Sequence, residues 1–156
     1  MALEEDENNP IHPDLVLANW LQDKNLTQQY EECMEKDNLY KHIYKRTRDG
    51  EKILTIQYQD KFLYILKSET WKLIIPTGLK IRSKSARKHL LQVAHAYTGH
   101  VVLDRTYQEL TSKYYWQNSY SDTQDYIRSC KICQSTKGST QLPIGYLTPL
   151  NIPTQP

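Results

Sequence analysis

Two histidines spaced His95-x4-His100 and two cysteines spaced Cys130-x2-Cys133 are the residues of this sequence whose types and spacing can do chemistry. Two imidazoles and two thiolates suit tetrahedral Zn²⁺, a borderline-soft ion that takes nitrogen and sulfur ligands together. The spacing has to be made to work. Residues five apart on an unbroken helix point about 140° apart, so His95 and His100 share one ion only if the helix stops between them. Gly99 supplies that stop, turning the chain through Tyr97-Thr98-Gly99 to bring His100 back. The two-residue spacer lets Cys130 and Cys133 bind the same metal, and four protein ligands close the site to water, which marks structural rather than catalytic zinc.

Plainer readings exist for each part. A lone Cys-x-x-Cys can be a redox pair, but no strand-helix context of a thioredoxin-like fold precedes this one. Single histidines are more often surface or core residues than ligands. The combination is what favours zinc, because the 29 residues between His100 and Cys130 hold the two helices needed to enclose an ion. His89 is a rival ligand, but it lies in a basic run without a break like Gly99, so solvent or phosphate is its expected neighbour. His12, His42 and Cys33 have no partner at ligand spacing and read as structural or exposed.

The elements that must position the ligands follow from periodicity. Ala86, Leu90, Val93 and Ala94 give a first helix an apolar face that ends near His95. Leu103, Thr106, Tyr107, Leu110 and Tyr114 recur at i, i+3, i+4, i+7 and i+11, one face of a second. A third is expected from Ser121, with Gln124 completing a capping box, burying Tyr126 and Ile127 and delivering Cys130; residues 85–133 thus read as helical throughout. Upstream, residues 53–58 and 62–66 read as a hairpin across Gln59-Asp60-Lys61, and Trp71 to Ile75 as a third strand stopped by Pro76-Thr77-Gly78. Mixed helical spacings between Pro13 and His42 predict two short helices broken near Asn25. The expected class is α+β: an acidic helical segment over 1–45, a small β-meander over 46–82, a zinc-stabilised bundle of three to four helices over 83–137, and a Pro-rich extended linker over 138–156.

Composition narrows the function classes. In 156 residues, 38% apolar, one modest core or two small ones can form, and small cores usually need a staple. No run approaches the roughly 20 apolar residues of a membrane span, and the acidic start lacks the features of a signal peptide. Three cysteines with a Cys-x-x-Cys favour an intracellular home and no membrane partner. The net charge of +2 hides a division: residues 1–40 carry ten acidic against two basic side chains, a balance of −8, and residues 41–156 carry +10. A basic body attracts polyanions, although a solvated surface is the bland alternative. Lys80, Arg82, Lys84, Arg87 and Lys88 are the densest cations, flanking the first helix of the bundle; Arg105, Lys113, Arg128 and Lys131 form a second group. Phosphates are their natural target, with no base-specific reading implied. Tyr114 and Tyr115 either stack on exposed bases or pack internally, with one of the pair facing solvent.

These residues together resemble a family. Trp71-Lys-Leu-Ile-Ile-Pro-Thr-Gly-Leu, His95 through Gly99-His100, Arg105-Thr106, Tyr114-Tyr115-Trp116, Tyr126, Cys130-x-x-Cys133-Gln134 and Leu147-Thr-Pro-Leu-Asn-Ile-Pro resemble the zinc-binding domain of gypsy-like LTR retrotransposon integrases over about residues 50–156. The resemblance implies a helix-turn-helix-like zinc bundle behind a small extension domain, metal ligation by the four residues above, and Trp116 in the core. It also implies binding of element DNA ends and integrase multimerisation in the nucleus, the partners being DNA, further copies and other integrase domains. Val102 departs from the family, which usually has Gly there, so the start of the second helix is expected to differ. The Asp-Asp-Glu strand-transfer domain of such integrases would begin just past Pro156, so this chain is expected to be non-catalytic. Asp104, Glu109, Asp122 and Asp125 read as helix-stabilising, two of them near helix starts. Two other classes remain: a host-adopted integrase remnant acting as a protein-interaction module through its acidic segment, and a thiol-dependent enzyme using Cys130 or Cys133.

Overall fold

The computed structural model describes residues 13–136. The expected linker over 138–156, the acidic start and His12 lie outside the described residues.

Three helices come first: α1 (Pro13–Gln22), α2 (Lys24–Lys36) and α3 (Lys41–Arg48). The break between α1 and α2 falls at Asp23, two residues before the expected Asn25. Asp23 is extended, and its carboxylate accepts from the Asn25 and Leu26 N–H groups at 2.9 and 3.3 Å, which caps α2. Sequence reading missed α3, because five of its eight residues are Lys, Arg or His. Its buried side is nonetheless regular, since Tyr40, Tyr44 and Thr47 are buried and Ile43 packs against the core.

The meander is β1 (Ile56–Gln59), β2 (Phe62–Lys67) and β3 (Thr70–Ile74), antiparallel in that order. Both hairpins close in two residues, Asp60-Lys61 and Ser68-Glu69, all four with positive φ as tight right-twisted hairpins require. A second small hairpin, β4 (Lys80–Ile81) and β5 (Lys84–Ser85), turns at Arg82-Ser83 in the same way and leads straight into α4 (Ala86–Tyr97).

Then follow α5 (Leu103–Thr111), β6 (Tyr114–Tyr115), α6 (Ser119–Ser129) and α7 (Lys131–Thr136). The expectation of helix throughout 85–133 fails at β6, which leaves the helical region and pairs with β3 in parallel. The Leu73 and Ile75 N–H groups donate to the Lys113 and Tyr115 carbonyls at 2.7 and 2.9 Å, completing the sheet order β1-β2-β3-β6. The chain is α+β, a small mixed sheet followed by a helical region that carries the His/Cys cluster.

One buried cluster runs through these layers, from Trp20, Tyr30 and Met34 across Phe62, Leu63, Leu73 and Ile74 to Leu90, Leu110, Tyr114 and Trp116. Two polar side chains set against it are well satisfied. The Tyr30 hydroxyl donates to the Ile74 carbonyl at 2.8 Å and accepts from the Leu63 N–H at 3.2 Å, tying α2 to two strands. Burial pushes its pKa well above the ordinary tyrosine value, so it remains a donor. Asp37 is also buried, and accepts from the N–H groups of Leu39 at 2.8 Å, Tyr40 at 3.2 Å and Thr77 at 2.9 Å.

Candidate metal centre

Helix α4 buries Ala86, Leu90, Leu91, Val93 and Ala94, and the same inward stripe carries His95, which is fully buried. The helix ends as the sequence predicts. Gly99 adopts φ +73°, its N–H donates to the Ala96 carbonyl, and the His100 N–H donates to the His95 carbonyl at 3.0 Å. This is the paired 6→1 and 5→2 closure of a Schellman motif. One of its two bonds joins the two ligand residues directly, so the cap that ends the helix also fixes where His100 returns. His100 itself takes φ +57°, uncommon outside glycine.

The other pair arrives from the far side. Helix α6 starts at Ser119 behind a left-handed Asn118, not at the expected Ser121, and the Ser121–Gln124 capping box is not used. Trp116 displaces it: its buried ring donates from Nε1 to the Asp122 carboxylate at 2.8 Å, so Asp122 is already within the first turn. Tyr126 and Ile127, expected to be buried, are only half-buried, and the fully inward residues of α6 are Ser119 and Thr123. Cys130 then breaks the helix with an extended backbone, and α7 restarts to present Cys133.

The four ligand atoms all lie within 4.8 Å of one another. His95 Nε2 is 3.0 Å from Cys133 Sγ, and His100 Nδ1 is 3.5 Å from Cys130 Sγ. The two imidazoles meet edge to face at 4.6 Å, and the Tyr126 ring walls the site 5.8 Å from His95. Burial, then the neighbouring His100, lowers the His95 pKa to about 4, so the ring is neutral at physiological pH, the state a metal requires. Burial and the adjacent Cys130 raise the pKa of the Cys133 thiol, a repulsion that a divalent cation reverses.

Which nitrogen of His95 is free follows from two threonines. Thr98 Oγ1 donates to the His95 carbonyl at 3.0 Å, so in its 3.2 Å contact with Thr106 Oγ1 it accepts. Thr106 has thereby spent its proton and must accept from His95 Nδ1, 3.2 Å away. Nδ1 carries the hydrogen, and Nε2 presents its lone pair to the cysteines. The donor set and this tautomer fit a single structural Zn²⁺. Period places Thr106 on the inward stripe of the second helix and the Arg105-Thr106 pair belongs to the family resemblance, but neither gives it a bond to a ligand; a hydroxyl on that buried face is the available signal. Thr106→Val, close in shape, is expected to weaken zinc affinity 10- to 100-fold with little change in helical content, measured by competition with a chromophoric chelator. Unchanged affinity would remove the threonine relay from the account.

Comparison with known families decides what kind of site this is. Residues 82–139 match the family described as integrase zinc binding domain. This segment is an integrase zinc-binding domain. No curated protein and no solved structure was found to match the chain. Within the integrase zinc-binding domain, Val102 sits at the N-cap of α5 with extended backbone, φ −54° and ψ 156°, and an exposed side chain. A β-branched residue tolerates that conformation without strain.

Two expectations for the basic run need correction. His89 is not on solvent: it is buried on the inward side of α4 and stands apart from the four ligands. Arg87 turns inward too. Its Nη2 donates to the Ile75 carbonyl at 2.9 Å and to Thr77 Oγ1 at 3.3 Å, and its guanidinium lies 5.7 Å from the centre of the Trp116 ring. Burial lowers its pKa against the opposing pull of Asp122. Lys80, Arg82, Lys84 and Lys88 are exposed on the β4–β5 hairpin and the start of α4, Arg105, Arg128 and Lys131 are exposed elsewhere on the helical region, and Lys113 is half-buried before β6. Of the tyrosine pair, Tyr114 is buried and Tyr115 half-buried. His42 is exposed and Cys33 half-buried against the core.

Proposed function

We propose that the chain is the DNA-binding and assembly module of an integrase, with zinc holding the bundle and the β4–β5 hairpin carrying phosphate contacts. The observation that supports this reading is the attachment of the hairpin. Lys80 and Lys84 sit on two short strands with Arg82 in the turn between them; the hairpin passes without a linker into the helix bearing His95, and Lys88 projects from that helix one turn on. Cations fixed to a rigid element lose little freedom on meeting a polyanion. Val101, Val102 and Ile132, exposed apolar neighbours of the ligands, offer a surface for self-association. The place of action is then the nucleus. Among the described residues no helix is long and apolar enough to cross a membrane.

Replacing Lys80, Arg82, Lys84 and Lys88 by Ala is expected to weaken duplex binding alike across sequences and to flatten log affinity against log salt by roughly 3 to 4 units, each phosphate contact contributing about 0.9. Zinc content is expected to stay the same. An unchanged slope would favour the interaction-module reading, in which the acidic segment captures a basic partner. Part of that segment is already engaged: Glu35 pairs with Arg48 at 3.0 Å and Glu31 with Lys61 at 3.4 Å. Exposed pairs of this kind contribute little energy, but they place α2 against the basic body rather than apart from it.

A further inference from the structure

We infer that the open part of the sheet, around Lys67, Lys72 and Tyr115, is a second contact surface for the nucleic-acid backbone, separate from the β4–β5 hairpin. The inference rests on nucleic acid being the partner, as proposed above.

Strand register assembles the surface. Ile65 opposes Lys72, Lys67 opposes Thr70 and Ile74 opposes Tyr115, so Ile65, Lys67, Thr70, Lys72 and Tyr115 share one face of the sheet with the buried Ile74. Lys67 and Lys72 are diagonal neighbours across β2 and β3, about 7–8 Å apart at the backbone. The Lys67 ammonium lies 4.6 Å from the centre of the Tyr115 ring, held by the ring face. None of these five residues is buried, and neither lysine forms an ion pair among the described residues. Glu69 stands in the adjoining turn but takes no part in a salt bridge among the described residues.

Like charges brought close on one face of a sheet repel, more so where burial lowers the local dielectric. Here burial and the charge of Lys67 both press the Lys72 ammonium toward its neutral form, a penalty that an incoming anion relieves. A half-buried aromatic beneath the Lys67 ammonium limits its rotamers before binding, and two neighbouring cations on one strand-to-strand diagonal can meet successive phosphates of one polynucleotide strand. An acidic protein segment is the other polyanion that fits by charge, and the test separates the two.

The experiment compares the full zinc-loaded chain with Lys67→Gln/Lys72→Gln, with Lys67→Arg/Lys72→Arg, and with the four-residue hairpin variant, in salt titrations of binding to a labelled DNA duplex. The glutamine pair is expected to lower the salt slope by about 1.8, two contacts at about 0.9 each, and the arginine pair to keep it. Zinc content and circular dichroism confirm that each variant is folded. A glutamine pair with the wild-type slope, alongside a hairpin variant that loses its own, would overturn the sheet contact and leave the proposed function standing. Wild-type protein that holds no duplex at any salt would overturn both, and capture of an acidic peptide that the glutamine pair abolishes would then assign the surface to protein.

Discussion

Removing zinc is expected to unfold the helices that carry the ligands. Structural zinc contributes on the order of 10 kcal/mol of folding free energy, comparable with the whole reserve of a small domain at roughly 5–15 kcal/mol. The geometry says where the loss begins. Helix α7 buries no residue of its own, and what ties it to α4 and the His100 loop is Cys133, whose sulfur lies against His95 Nε2 and the His100 carbonyl. Without the ion, α7 and the end of α6 have little to hold them, and His95 leaves a neutral imidazole facing two thiols. Elemental analysis is expected to find one zinc per chain, and strong chelation, Cys130→Ser or His95→Ala to reduce the helical signal. A metal-free chain with full helicity would sink the assignment. Acid is expected to act in the same direction. The His95 pKa is depressed to about 4 in the folded chain against about 6.5 when unfolded. The stability it contributes is therefore present above about pH 6.5 and is lost as pH falls toward 4. Because the ligands must be deprotonated to hold the ion, zinc release is expected to begin in the same window.

Asp37→Ala is expected to cost roughly 3 to 5 kcal/mol, since it leaves three buried or half-buried N–H groups without the anionic acceptor that now takes them. One oxygen caps the turn that enters α3, through Leu39 and Tyr40, while the other holds Thr77 in the loop that leads from β3 to β4. Asp37→Asn separates the two roles. The amide keeps an acceptor for the cap and presents a donor to the Thr77 N–H, so it is expected to lose part of the stability and to loosen the loop. Burial alone would raise the Asp37 pKa, yet the backbone bonds outweigh it and hold the carboxyl below its ordinary value. Its contribution is therefore present above about pH 4 and lost as pH falls through the depressed value. Denaturant unfolding of the two variants at neutral pH checks both magnitudes. An alanine variant within 1 kcal/mol of wild type would show that water replaces the carboxylate.

The ligand set was legible because its logic is local: four residue types, two short spacers and a glycine where a helix must stop. The hairpins of the meander were legible for a similar reason, alternating β-formers on either side of polar residues. What was not legible depends on distant partners. Tyr114 fits the helical stripe of Leu103, Thr106 and Leu110 by period, and only the free edge of β3, some forty residues upstream, draws it into a strand. Arg87 reads as one more cation in a basic run, and only the Ile75 carbonyl and the Trp116 ring reveal that it is a packing residue. The Ser121 box was a valid local signal, displaced by the bond from Trp116 to Asp122 that starts α6 two residues earlier. Helix α3 hid behind its charges, although Tyr40, Tyr44 and Thr47 keep helical spacing on its buried side.

The parallel pairing of β3 with β6 also orders events during synthesis. A chain emerging from the ribosome completes β1, β2 and β3 early, yet the Leu73 and Ile75 N–H groups find their acceptors only when Lys113 and Tyr115 have followed, after α4 and α5. Until then β3 presents a bare edge, which is where nascent chains on neighbouring ribosomes can join. The segment that relieves this hazard passes through His95 and His100 on its way, so the nascent sheet is sealed by a stretch whose own order awaits two cysteines not yet translated.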